Sequence, residues 1–240
     1  MQLTKEVTVG EIAAAEPASV RVFEALGIDY CCGGKRGLAD ACSRIGISAD
    51  EVMARIAQAG QTVHAFRPTL WAEAPLSALI RHIIERHHGY IRAETPRIQT
   101  LLEKVITRHG AAHPEVAQIR DLFTAAAQEL STHTMKEEQV LFPYIARMEE
   151  AANAGQPQPP AFFGSVARPI ARMMADHDDA GDLLAQMNQL AGGYTPPPDA
   201  CATFRALYQA LAGFEIDLHE HVHLENNILF PRALALERSE

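Results

Sequence analysis

The pattern H-x3-E-x3-L-F-P occurs twice in this chain, 88 residues apart: HTMKEEQVLFP from His133 to Pro143 and HVHLENNILFP from His221 to Pro231. Helical residues four apart are neighbours on one face, so each copy offers an imidazole and a carboxylate together. Each copy also sits among apolar residues at helical spacing: Leu130, Val140 and Leu141 around the first, and Phe214, Leu218, Leu224 and Ile228 around the second. A carboxylate aimed into an apolar core costs on the order of several kcal/mol unless it is neutralised or paired. The same pair placed twice in such a core calls for positive charge, and metal cations supply it.

Two further histidines, His88 and His177, stand 89 residues apart in two other helical patterns. The four long patterns cover roughly 76–109, 114–150, 165–191 and 200–236, and the last two connections, AANAGQPQPPAFFG and GGYTPPPDA, are rich in Pro and Gly. With no β-rich run, this predicts an all-α chain built on an up-down-up-down four-helix bundle. Each half of the bundle then contributes one helix with a single His and one with His plus Glu.

Ahead of the bundle, residues 1–65 read as a small domain of short helices. Thr8 to Glu11 and Ser48 to Glu51 both have the form of a capping box. Between them GIDYCCGGKRG is a turn-rich break that sets Cys31 and Cys32 beside Gly33 and Gly34. Residues 66–75 read as a linker and 76–240 as the bundle domain. A composition of 48% hydrophobic and 21% charged residues supplies a core. A net charge of −9 without a dense Lys/Arg run argues against nucleic acid as a partner. The N-terminal residues lack the apolar stretch of a signal peptide, and no window approaches the ~18 apolar residues of a membrane span. Cys31, Cys32, Cys42 and Cys201 do not have the spacing of a disulfide scaffold or a C-x-x-C zinc site. A cytoplasmic protein without membrane contact is the expectation.

A competing metal pattern overlaps the second repeat. His219, Glu220 and His223 spell H-E-x-x-H, the form of a zinc hydrolase helix. His219 and His223 lie ~200° around the helix from His221, so they are expected to face outward. The first repeat has Ser131 and Met135 in their places. The repeat therefore favours His133, Glu137, His221 and Glu225, joined by His88 and His177. Four His and two Glu exceed the needs of one tetrahedral zinc. They suit two ions, each with two imidazoles, bridged by the carboxylates. Iron, manganese and zinc all accept such ligands, and bundles of this kind commonly carry di-iron.

Spacing alone leaves His87 open beside His88. Glu129 and Asp217, 88 residues apart, precede the two His–Glu pairs by one turn, and Asp176 adjoins His177. They are candidates for orienting imidazoles or relaying protons, although ordinary helix-surface acids read the same way. His64, His82, His109 and His113 have no repeat partner and are expected at the surface. Adjacent cysteines do not easily close an unstrained disulfide. Cys31 and Cys32 are either a structural thiol pair at a turn or a soft, exposed thiol site whose pKa Lys35 and Arg36 would lower.

DYCCGGK (Asp29 to Lys35), followed by the two L-F-P motifs, TPPPDAC and LENNILFPRAL, resembles the repair-of-iron-centres proteins of the YtfE, ScdA and NorA type, a hemerythrin-like group. The resemblance runs over nearly the whole chain. It implies a small N-terminal ScdA-type domain and a hemerythrin-like bundle with iron ligands at His88, His133, Glu137, His177, His221 and Glu225, which settles His88 over His87. It also implies acidic supporting residues at Glu129 and at Asp176, where other members can have Glu, and a role for the thiols of Cys31 and Cys32. Cys42 matches no motif. The cofactor implied is two Fe ions with an oxo or hydroxo bridge. The function implied is repair of iron–sulfur clusters damaged by nitrosative or oxidative stress, by supplying iron, with damaged iron–sulfur proteins as partners and a homodimer allowed. The alternatives are capture of NO, with reduction to nitrous oxide if the site acts as an enzyme, and oxygen binding. The last ranks lowest, because oxygen carriers commonly have a fifth His.

Overall fold

The computed structural model describes residues 7–62 and 71–238, with side chains through Ala59 and from Trp71. Residues 66–70 of the expected linker, together with His64, lie outside them. Every regular element among the described residues is helical.

The N-terminal segment forms α1 (Val9–Ala15), α2 (Ala18–Leu26), α3 (Leu38–Arg44) and α4 (Ala49–Thr62). The expected capping box at α1 is complete: the Glu11 amide donates to Thr8 Oγ1 at 3.2 Å, and the Thr8 amide donates to Glu11 Oε2 at 3.0 Å. At α4 the Glu51 amide donates to Ser48 Oγ at 3.2 Å. These short helices bury Val9, Ile12, Phe23, Leu38, Val52 and Ile56. The break between α2 and α3 is held by Asp29, whose carboxylate accepts from the Cys32 and Gly33 amides at 3.0 and 2.9 Å. The first amides of α1, at Val9 and Gly10, donate to the carbonyls of Arg36 and Gly34. This break thereby satisfies donors that a helix start leaves open.

Four rods follow. The first is α5 (Leu76–His82), a π-helical segment Ile83–His88 and α6 (Gly89–His109). The second is α7 (Glu115–Lys136), a π segment Glu137–Leu141 and α8 (Phe142–Asn153). The third is α9 (Ala167–Leu190), and the fourth is α10 (Ala202–Leu224), a π segment Glu225–Leu229 and α11 (Phe230–Glu237). All four match the expected patterns to within a few residues. Two of the π segments have a legible cause. Pro143 and Pro231 carry no N–H, and their rings crowd the carbonyl four residues back. The helix widens, so that the Phe142 and Phe230 amides donate five residues back, to the carbonyls of Glu137 and Glu225. No proline stands beside Ile83–His88 to explain the third.

Two compact units divide the chain: residues 1–80, 145–160 and 219–240 in one, and 81–144 and 161–218 in the other. The division falls inside three of the rods, which continue through it as unbroken helix. In the second unit α7 packs against α6 and α9. Its core includes Ile98, Leu102, Ile119, Phe123, Phe204 and Phe214, with the rings of Phe123 and Phe214 edge to face at 5.3 Å. Val140, expected in this core, is instead 36% exposed. The π segment Glu137–Leu141 widens the turn and shifts the helical phase, so that Leu141, rather than Val140, turns to the core.

In the first unit Glu149 of α8 caps α5: its carboxylate accepts from the Leu76 and Ser77 amides at 2.6 and 2.9 Å. Partial burial pushes the Glu149 carboxyl up, but these amide bonds outweigh it and hold the group below its usual range. A carboxyl depressed by folding contributes stability that is present above its unfolded pKa and is lost as pH falls through the folded one. Glu149→Gln is expected to lower the urea-unfolding free energy by about 1 kcal/mol at neutral pH, with the deficit closing below the folded pKa. A deficit that stays constant down to low pH would mean that Glu149 does not cap as a carboxylate.

Candidate metal centre

Each repeat begins its His on an α-helix and ends its Glu on the first residue of a π segment. In the second repeat His221 Nε2 meets Glu225 Oε1 at 2.9 Å. In the first, His133 Nε2 lies 3.3 Å from Glu137 Oε2. His88, the last residue of its own π segment, brings Nε2 to 3.4 Å from the same Glu137 oxygen. His177, in the middle of α9, brings its Nε2 to 3.0 Å from that of His133. All six side chains are no more than 2% exposed.

Their ligand atoms gather in two groups, each with all atoms within 4.8 Å of one another: His88, Glu137, His221 and Glu225 in one, and His133, Glu137, His177 and Glu225 in the other. Ions bound at about 2.0–2.2 Å by imidazole nitrogen and carboxylate oxygen fit clusters of that span. Each group supplies two nitrogens and two oxygens, and Glu137 and Glu225 belong to both. The donor set therefore fits two first-row transition ions, with Glu137 and Glu225 placed where either ion could use them. When bound, such a pair supplies redox chemistry and positions for small exogenous ligands.

The outer nitrogens of two of the rings face carboxylates. His88 Nδ1 lies 2.8 Å from Glu138 Oε1, which also accepts from Arg92 at 2.6 Å. Burial pushes the Glu138 carboxyl up, but the Arg92 guanidinium and the His88 ring outweigh it and leave it below its usual range. An ionised carboxylate only accepts, so in this contact His88 donates from Nδ1, and Nε2 is the nitrogen it turns toward Glu137. His133 Nδ1 faces Asp176 at 3.5 Å, and Asp176 is also paired with Arg172 at 2.8 Å.

Of the supporting acids expected from sequence, Asp176 thus meets a ring of the cluster. Glu129 is exposed on α7 and belongs to neither ligand group. Asp217 is buried but meets His87 Nδ1 at 3.2 Å and Arg86 at 3.1 Å. His87, also buried, points to Asp217 and is in neither group. The repeat does not single out Glu138, because the second copy has Asn226 in its place. Its position directly after a repeat carboxylate was the available signal.

The H-E-x-x-H reading does not hold together. Glu220 is exposed and His219 is half-buried, and neither they nor His223 joins a ligand group. His223 corrects the expectation that it faces outward, since it is only 3% exposed. The helical period does turn it away from His221, but the Tyr30 ring covers that side, edge-on at 5.4 Å. Burial pushes the His223 ring down to about 4, so it is neutral at pH 7.

Cys31, Cys32 and Asp29 form a third group of potential ligand atoms. Cys31 is 4% exposed, and the adjacent Cys32 thiol and burial hold its own thiol well above the usual range. The expected lowering by Lys35 and Arg36 is absent there, and Arg36 is paired with Asp40 at 3.3 Å. The thiol that is lowered, to about 7, is Cys201, by the Phe204 amide and then by His109, whose Nε2 lies 3.2 Å away. His109 and His113 are half-buried rather than fully exposed, and His113 is held by Glu115 and Asp199.

Because Glu137 and Glu225 are shared, Glu137→Ala is expected to reduce metal content from about two ions per chain toward none. His177→Ala should retain about one, both read by elemental analysis of protein loaded with iron. Glu138→Gln leaves every ligand in place and should weaken metal retention against a chelator by about 10- to 100-fold. Equal metal content in Glu137→Ala and wild type would refute the shared-carboxylate arrangement.

The model of the hemerythrin HHE cation binding domain matches residues 79–233, and a second, ScdA_N, described as a domain of unknown function (DUF542), matches residues 5–60. The iron-sulfur cluster repair protein YtfE of Pectobacterium carotovorum is 38% identical over 230 residues, covering 96% of this chain and 97% of that protein. The proteins of the same name from Citrobacter koseri and Escherichia coli O81 are each 38% identical over 235 residues, covering 97% of this chain and 99% of theirs. With a buried His and Glu cluster able to hold two ions and similarity along nearly its full length to these repair proteins, the chain belongs to the hemerythrin HHE cation-binding family.

Proposed function

We propose that this chain is a non-haem di-iron protein that repairs damaged iron–sulfur clusters by supplying iron, with His88, His133, Glu137, His177, His221 and Glu225 as its ligands. The observation that carries the reading is the pair of buried groups sharing Glu137 and Glu225; the relatives' name supplies the class of client. Iron leaving such a site is cargo. Neutral imidazoles and shared carboxylates hold it less completely than a closed thiolate cage would. Cys31 and Cys32 are the thiols proposed to assist transfer, with Asp29 completing a group that could take a soft ion in passing. Asp176 and Glu138 orient the rings of His133 and His88, and Glu129 is retained only as a solvent-side proton acceptor. The setting proposed is the cytoplasm, consistent with the absence of any described helix long and apolar enough to cross a membrane.

A second reading, NO capture or its reduction to nitrous oxide at the same site, is favoured by one feature. A cleft of about 400 Å³, lined by Ile91, Arg92, Thr134, Met135 and Glu138 among others, opens beside the carboxylate that holds His88. It would admit a small ligand as far as Glu138, whose carboxylate meets the His88 ring.

Transfer is tested by incubating ⁵⁷Fe-loaded protein with an NO-inactivated [4Fe–4S] dehydratase and following both recovered activity and ⁵⁷Fe in the client. Recovery should track the iron lost by the donor, fall to background for Glu137→Ala and drop strongly for Cys31→Ser/Cys32→Ser. Recovery no better than with the same amount of free ferrous iron would remove the repair reading. Full recovery by the double serine variant would remove the thiols from it. Anaerobic NO titration of the reduced protein, followed for an iron-nitrosyl spectrum and nitrous oxide, separates the second reading from the first.

A further inference from the structure

One side chain ties the cysteine turn to the segment that carries Glu225. Asn227 lies two residues after Glu225, inside the π segment shaped by Pro231. Its Nδ2 donates to the Tyr30 carbonyl at 3.1 Å and reaches the Cys31 carbonyl at 3.4 Å and His223 Nδ1 at 3.1 Å. Its Oδ1 lies against Gly10 and Gly34. A Cβ at Gly34 would come within 2.5 Å of that oxygen, and one at Gly10 would crowd it further. Neither glycine has a positive φ, so they are needed for space rather than for conformation. Gly10 and Gly34 are joined in turn by an amide-to-carbonyl bond of 2.9 Å. The amide of Asn227 is thus seated in a slot whose floor is the turn bearing Cys31 and whose side is the start of α1.

The two carbonyls that Asn227 engages belong to Tyr30 and Cys31, the peptide units on either side of the Cys31 Cα. Bringing the buried Cys31 thiol to solvent requires those contacts to break. We propose that Asn227 is a positioning residue that couples the Cys31–Cys32 turn to metal occupancy: an ion bound by Glu225 steadies the π segment, and Asn227 passes that constraint to the turn and keeps Cys31 covered. Coupling free energy is reciprocal, so opening the turn weakens the hold on the ion. The inference rests on Glu225 being a metal ligand, as proposed above, but not on what the bound ions do.

The experiment is alkylation of the native full-length protein by limiting N-ethylmaleimide, loaded with iron or stripped by a chelator, with labelling at each cysteine read by fragmentation mass spectrometry. Cys201 serves as the reactive reference and buried Cys42 as the protected one. In wild type, Cys31 should label roughly tenfold more slowly when loaded, the scale of one or two hydrogen bonds. In Asn227→Ala at equal iron content it should label fast in both forms, with a ratio near one. Gly34→Ala displaces the same amide from the opposite side and should give the same result. A wild-type ratio of one, or a ratio preserved in both variants, overturns the coupling. By the same reciprocity both variants should release iron to a chelator faster than wild type, and unchanged release overturns the coupling as well. A wild type that shows the ratio but transfers no iron to a client loses only its proposed function.

Discussion

The structure depends on placing four imidazoles and two carboxylates in the middle of a helical interior. Apolar packing alone does not tolerate that, since each ionised carboxylate out of water carries a desolvation penalty of several kcal/mol even after relaxation. Cations held between Glu137 and Glu225 would offset the penalty, which would link metal affinity to folding stability. The surrounding carboxylates extend the same logic outward. Glu138 and Asp176 face the outer nitrogens of His88 and His133, and Arg92 and Arg172 in turn face those acids. Charge alternates from the interior to the solvent along these two paths, and the His88 and His133 rings are oriented by them.

The helices that carry these ligands are not regular, and the irregularity falls where the ligands are. Glu137 and Glu225 each open a π segment, and His88 closes one. A single widened turn shifts the phase of everything after it by one residue. It lets the His–Glu pair face inward while the following Leu141 or Leu229 returns to the core. The prolines of the two L-F-P motifs enforce that widening in two of the rods. They connect a covalent property of the chain, a missing N–H, to the placement of a carboxylate six residues earlier.

The histidine-rich stretch of the fourth rod shows how one helix can serve two neighbours. His221 and Glu225 join the ligand groups, whereas His223 and Asn227, on another face, pack against Tyr30 and the cysteine turn. Buried His87 likewise faces Asp217, which Arg86 also pairs with, and adds no fifth imidazole to the ligand groups. Burial of a histidine in this protein therefore does not identify a ligand. What separates ligand from structural histidine is whether the ring nitrogen converges with a shared carboxylate.

The sequence by itself determined the helical class, the four rods and the six inward side chains. Helical periodicity and the 88-residue repeat are properties of linear spacing, and a residue's face on a helix follows from its number. Spacing could not say what lies across from each face, and there the tertiary structure decided. It covered His223 with Tyr30, buried the Cys31 thiol and raised its pKa against the pull expected of Lys35 and Arg36, and brought Glu138 to His88. Glu129 was left in solvent although it holds the same repeat position as buried Asp217. Each of these outcomes depends on residues distant in the chain, whose proximity is set by packing rather than by period.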